Sequence, residues 1–135
     1  MTDAVAIELP LESRSARWAR EQLEPFRTAL DETSFCDLRL LVSELVIEAL
    51  HAESEAQDGM IAMCVELRDD RVHAEISEGG AAYRLSPGRP EPGESGWGLD
   101  LVRRLSSRWG VRRERERSMV WLEMPRSQPG KPPVA

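Results

Sequence analysis

Glu44 and Glu48 stand four residues apart in the run Asp37 to Ala52, DLRLLVSELVIEALHA. On a helix that spacing puts both carboxylates on one face, one turn apart. Such a pair can supply a general base or ligate a hard cation. The spacing is common and not specific by itself. A second candidate is Glu94-Ser95-Gly96-Trp97-Gly98-Leu99, a glycine-rich stretch that runs into a helix. Glycines there let backbone N–H groups approach an anion, and a helix N-terminus adds favourable partial charge.

The elements that must hold these residues are legible from periodicity. In the Asp37–Ala52 stretch, Leu38, Leu41, Val42, Leu45 and Ala49 form one apolar side, and Leu40, Ile47 and Leu50 extend it. Arg39 and Ser43 make one polar strip; Glu44, Glu48 and His51 make another. A helix this apolar is mostly buried, so a carboxylate stripe on it must face water, a partner or a ligand. Upstream, Ile7 and Leu9 read as a short strand closed by Pro10. Ser13 is placed to cap a helix carrying Ala16, Ala19, Leu23, Phe26 and Leu30, kinked or ended near Glu24 by Pro25.

Downstream, Met60–Leu67 and Arg71–Ser77 alternate strictly and predict an antiparallel hairpin turned at Asp69-Asp70. Residues 79–98 are rich in Gly and Pro and predict a long irregular loop, either a functional lid or a disordered segment. The next helix carries Leu99, Leu101, Val102, Leu105 and Trp109, with Gly110 as its C-cap. Val111–Glu116 and Ser118–Met124 predict a last hairpin, with Val120, Leu122 and Met124 on one face. The expected fold is an α/β two-layer sandwich: a mixed, mostly antiparallel sheet covered on one face by three helices. One domain spans 1–125, and the Pro/Ser/Gly-rich residues 126–135 read as a disordered tail.

Composition narrows the function. The chain has 135 residues and a net charge of −6. Residues 1–100 carry 9 basic against 21 acidic side chains, and residues 101–135 carry 9 against 3. An acidic chain with one basic patch is a poor general nucleic-acid binder. No apolar run approaches the roughly 20 residues that cross a bilayer, and the acidic N-terminus lacks a signal-peptide layout. A cytoplasmic protein is expected, with Cys36 and Cys64 as reduced, packed thiols and no Cys/His metal site. Lys131 is the only lysine, which excludes a P-loop and a catalytic lysine elsewhere.

Taken together and in order, the motifs resemble the GHKL (histidine-kinase-like) ATPase superfamily, and within it the bacterial anti-sigma-factor serine kinases and regulatory factors. Leu41-Val42-Ser43-Glu44-Leu45-Val46 with Ala49 looks like the N box. Glu78-Gly79-Gly80 looks like the first glycine box and Glu94 to Leu99 like the second. Arg108-Trp109-Gly110-Val111 and Val120-Trp121-Leu122-Glu123 look like the closing helix and strand. The resemblance implies that Glu44 polarises the attacking group and that the position of the Mg²⁺-holding Asn is taken by Glu48.

It further implies that Glu78 takes the place of the adenine-binding Asp, with Gly80 and Ala82 as the two following glycine positions. A register through Gly79 would instead put Ser77 there, but it breaks the strand alternation. Gly96, Gly98 and Leu99 keep the second box, and Met119 stands where the family often has an adenine-pocket Thr. Glu48 is the largest departure: without a cation it sets a second negative charge near the triphosphate, and unit charges 4 Å apart repel by roughly 4 kcal/mol at an effective dielectric of 20.

The expected function is an anti-sigma-factor-like regulator with a degenerate ATP site. It would act by binding a sigma factor or an anti-sigma antagonist in transcription control, and a homodimer would be in the family's manner. The alternative is an active Mg-ATP-dependent serine kinase of such an antagonist, with Glu44 as base and Glu48 as metal ligand. A sensor of another ligand in the same pocket is a third expectation.

Overall fold

The computed structural model describes residues 3–51, 60–79, 91, 96–114 and 117–126. Five strands form one sheet: β1 (Ala4–Pro10), β2 (Met60–Leu67), β3 (Arg71–Glu78), β4 (Arg108–Glu114) and β5 (Arg117–Pro125), in the order β1-β2-β3-β5-β4. Every pairing is antiparallel, so the parallel pair that a mixed sheet requires is not among the described strands. Three helices, α1 (Ser15–Gln22), α2 (Glu32–His51) and α3 (Trp97–Leu105), complete the two-layer sandwich.

Each strand alternates as its sequence requires. Val72, Ala74, Ile76 and Glu78 point into the core from β3, and Ser118, Val120, Leu122 and Met124 from β5. Leu38, Leu41, Val42 and Leu45 of α2 pack onto that face with Phe26, Phe35, Ile61 and Met63. Burying an aliphatic or aromatic side chain of this size contributes about 1.5–3 kcal/mol. Leu40 is the one large apolar side chain left exposed among the described residues, at 41%.

Helix ends differ from expectation in two places. Ser13 does not cap α1: Arg14 holds the N-cap position without a side-chain bond, and the Ser15 hydroxyl donates to the Pro10 carbonyl instead. Pro25 ends α1 as expected, forcing a 3₁₀ turn over Glu24–Phe26. α2 is opened by Asp31, whose Oδ1 accepts the Ser34 N–H at 3.0 Å.

α3 is shorter than its apolar pattern suggests. Ser106 turns to extended backbone while its hydroxyl donates to the Val102 carbonyl. Ser107 then gives both its N–H, at 2.8 Å, and its hydroxyl, at 3.0 Å, to the Glu123 carbonyl. The chain is thereby drawn onto the sheet, and Trp109 and Gly110 belong to β4 rather than to a helix and its cap. Gly110 faces Trp121 across the ladder; a Cβ there would stand 2.6 Å from the indole Nε1.

Cys36 is exposed and Cys64 half-buried, both free thiols, so only Cys64 matches the packed thiol expected of each. Arg126 is tied to the body: its N–H donates to the Asp70 carbonyl and its guanidinium to the carbonyls of Arg68 and Ala29. The rest of the expected tail, most of the expected lid, and Gly80 and Ala82 lie outside the described residues.

Candidate functional site

The α2–α3 junction brings four of the candidate residues together. Glu48 is 6% exposed, and its Oε1 accepts the Gly96 N–H at 2.5 Å. Gly96 is the N-cap residue of α3 and has φ 91°, the left-handed region in which glycine is at ease. One turn up α2, Glu44 is half-buried. Burial raises its carboxyl above the usual range, the neighbouring Glu48 raises it further, and Arg20 and His51 oppose both. Charge on this face of α2 is therefore already crowded before any ligand is considered.

Gly98 serves packing. A Cβ on it would lie 3.3 Å from the Glu44 carbonyl oxygen and 3.3 Å from Leu45 Cδ2. The first of these is backbone and would have to shift by a few tenths of an ångström. The missing side chain at residue 98 thus eases the close approach of α3 to α2. Leu99 is buried in the core beside it. Asp100, also buried in the first turn of α3, pairs with Arg104 at 2.9 Å.

The second cluster lies where β3 and β5 meet. Glu78 is fully buried, on the inner face with Ile76, as the strand phase requires and as a register through Ser77 would not give. Its partner across the ladder is Ser118, 1% exposed, whose hydroxyl donates to Glu78 Oε1 at 3.2 Å. Met119 is not part of this cluster. It pairs with Ser77 and points to the opposite face of the sheet, where it lines an open depression with Ala6, Ala62, Cys64 and Glu75. The residue missed from the sequence is therefore Ser118. The alternation that sets Glu78 inward on β3, applied to Val120 and Leu122 on β5, sets Ser118 inward and Met119 outward.

These two clusters answer differently to the ATP and Mg²⁺ that the resemblance implies. A buried carboxylate and a hydroxyl on adjacent strands fit the recognition of an amino-substituted ring: the one accepts, the other accepts or donates. The α2–α3 end does not fit a metal–triphosphate. There Glu48 Oε1 takes the Gly96 N–H, the kind of donor a phosphate would need. Among the described residues no group of three or more His, Cys, Asp or Glu side chains is arranged to hold a metal ion.

A family model described as "Histidine kinase-like ATPase domain" matches residues 9–124. Among solved structures the chain is similar to the RsbU and RsbW domains of Rv1364c from Mycobacterium tuberculosis, at 21% identity and a TM-score of 0.73. That match covers 98% of this chain and 35% of the other, so the chain spans about a third of that structure's length, and the likeness is one of fold. No curated protein matches the sequence. Among the described residues, no helix is long and apolar enough to cross a membrane.

Proposed function

Because this chain belongs to the histidine kinase-like ATPase domain family, we propose that it is a regulatory member whose ATP site is degenerate and which acts by binding another protein. The observation that carries this reading is the Glu48 carboxylate, buried at the position where the family places its Mg²⁺-holding amide and bonded to the Gly96 N–H. Domains of this family generally bind ATP with Mg²⁺; here the charge at that end has the wrong sign for polyphosphate. The partner is a sigma factor or an anti-sigma antagonist in transcription control, as the resemblance to anti-sigma regulators implies, and the setting is the cytoplasm.

A second reading is favoured by one observation. Glu78 and Ser118 keep a carboxylate and a hydroxyl for the purine end, and burial and the neighbouring Glu48 raise the Glu44 carboxyl above its usual range. On that reading the chain is a Mg-ATP-dependent serine kinase. Calorimetric titration of the purified protein with ATP, with and without Mg²⁺, separates the two. The regulatory reading expects no binding at millimolar ATP. Micromolar, Mg²⁺-dependent binding would overturn it in favour of the kinase.

A further inference from the structure

We propose that Glu48 is the resident anion of the second glycine box: its carboxylate does for the α3 N-terminus what a bound phosphate would otherwise do. The inference rests on the reading that this end of the site holds no Mg-ATP, and it says what holds the corner in its place. The Glu48 side chain is almost wholly buried, and a buried carboxylate is tolerated only where hydrogen bonds replace its water. The Gly96 N–H provides one. That N–H is turned toward α2 by the left-handed backbone at Gly96.

No side chain of its own caps α3, and the acid of its first turn, Asp100, is paired with Arg104, so the N-cap N–H is left to an anion delivered from α2. The second point of attachment is steric. A Cβ at residue 98 would press on the Glu44 carbonyl and on Leu45. The hydrogen bond at residue 96 and the close approach allowed by a residue 98 without a side chain dock the first turn of α3 directly on α2. The corner from Gly96 to Leu99 is therefore set by residue 48 and not by nucleotide. A partner that reads this corner finds it in one state whatever the ATP concentration.

The test uses the full chain, with amide hydrogen exchange at Gly96 and titration with inorganic phosphate at constant ionic strength. In wild type, Gly96 should be protected and indifferent to phosphate. Glu48→Ala should speed its exchange by at least about tenfold, the scale of one hydrogen bond to a charged group. Inorganic phosphate should then restore protection to that variant. Glu48→Gln keeps a carbonyl acceptor without the charge. It should hold intermediate protection, and it keeps the test alive if the alanine variant does not fold.

Unchanged exchange at Gly96 in both variants overturns the proposal, as does wild-type protection that rises with phosphate. Tight Mg-ATP binding by wild type, with Gly96 protection still dependent on residue 48 and unmoved by phosphate, refutes the degenerate-site reading while upholding the anchoring role. Loose Gly96 exchange in a wild type that ignores ATP does the reverse.

Discussion

Glu48→Asn puts the most weight on the fewest atoms. Glu44 and Glu48 are one helical turn apart, about 6 Å on a helix surface. At an effective dielectric near 20, two unit charges at that distance repel by about 3 kcal/mol. The raised Glu44 carboxyl carries part of that repulsion. The substitution relieves it. Against the gain stands the loss of a charge-assisted bond from the Gly96 N–H, about 1.5–3 kcal/mol. The two nearly cancel, so folding stability should stay within about 2 kcal/mol of wild type, a melting shift of under about 8 °C. ATP affinity should move much further. A phosphate about 4 Å from Glu48 meets roughly 4 kcal/mol of repulsion, so removing the charge should tighten ATP binding by two to three orders of magnitude. Calorimetry with Mg-ATP measures the second quantity and thermal unfolding the first. A variant that melts like wild type yet binds ATP no better would refute the electrostatic argument, because fold and site would then be intact and the charge irrelevant.

The remaining predictions are narrower. Ser118→Ala removes the hydroxyl bonded to the buried Glu78 and should cost about 1–3 kcal/mol in denaturant unfolding, whereas Met119→Thr, on the other face, should leave Glu78 unaffected. Gly98→Val forces a branched side chain against the Glu44 carbonyl and should destabilise by about 1–3 kcal/mol or more; a neutral result would mean that α3 stands further from α2 than described. Glu123 is held below the usual carboxylate range by its bond to His73 and by the nearby Arg71 and Arg108. Its stabilisation is therefore complete above the unfolded value of about 4.5 and is lost as pH falls through the lower folded value. Glu123→Gln should accordingly be less stable than wild type at pH 7, with the gap closing below pH ~4 in acid-unfolding curves.

The fold is legible wherever a period repeats. Strict alternation over Met60–Leu67 and Arg71–Ser77 sets both strands and their inner face, and the apolar surface of residues 37–52 marks the helix laid against them. The end of α3 is hidden, because Leu99, Val102, Leu105 and Trp109 continue a helical pattern that hydroxyl bonds from Ser106 and Ser107 cut short. At the site, Glu44, Glu48, Gly96 and Gly98 stand out as motif members, but not what binds them to each other. The Glu48–Gly96 bond joins residues 48 positions apart, and no periodicity encodes it. Ser118 is within reach of strand phase and is missed only by counting back from the Val120-Trp121 pair.

Gly98 bears on how such a chain can change over time. Its missing side chain eases the approach of α3 to the α2 backbone, so a bulky residue there is opposed by helix packing whether or not nucleotide binds. At position 48 the constraint is of another kind: a buried acid there is satisfied by the Gly96 N–H. Glycine at position 98 is thus favoured by helix packing whether or not the site binds nucleotide. Counting glycines in chains of this kind records the architecture they inherited and leaves their present occupation to be measured.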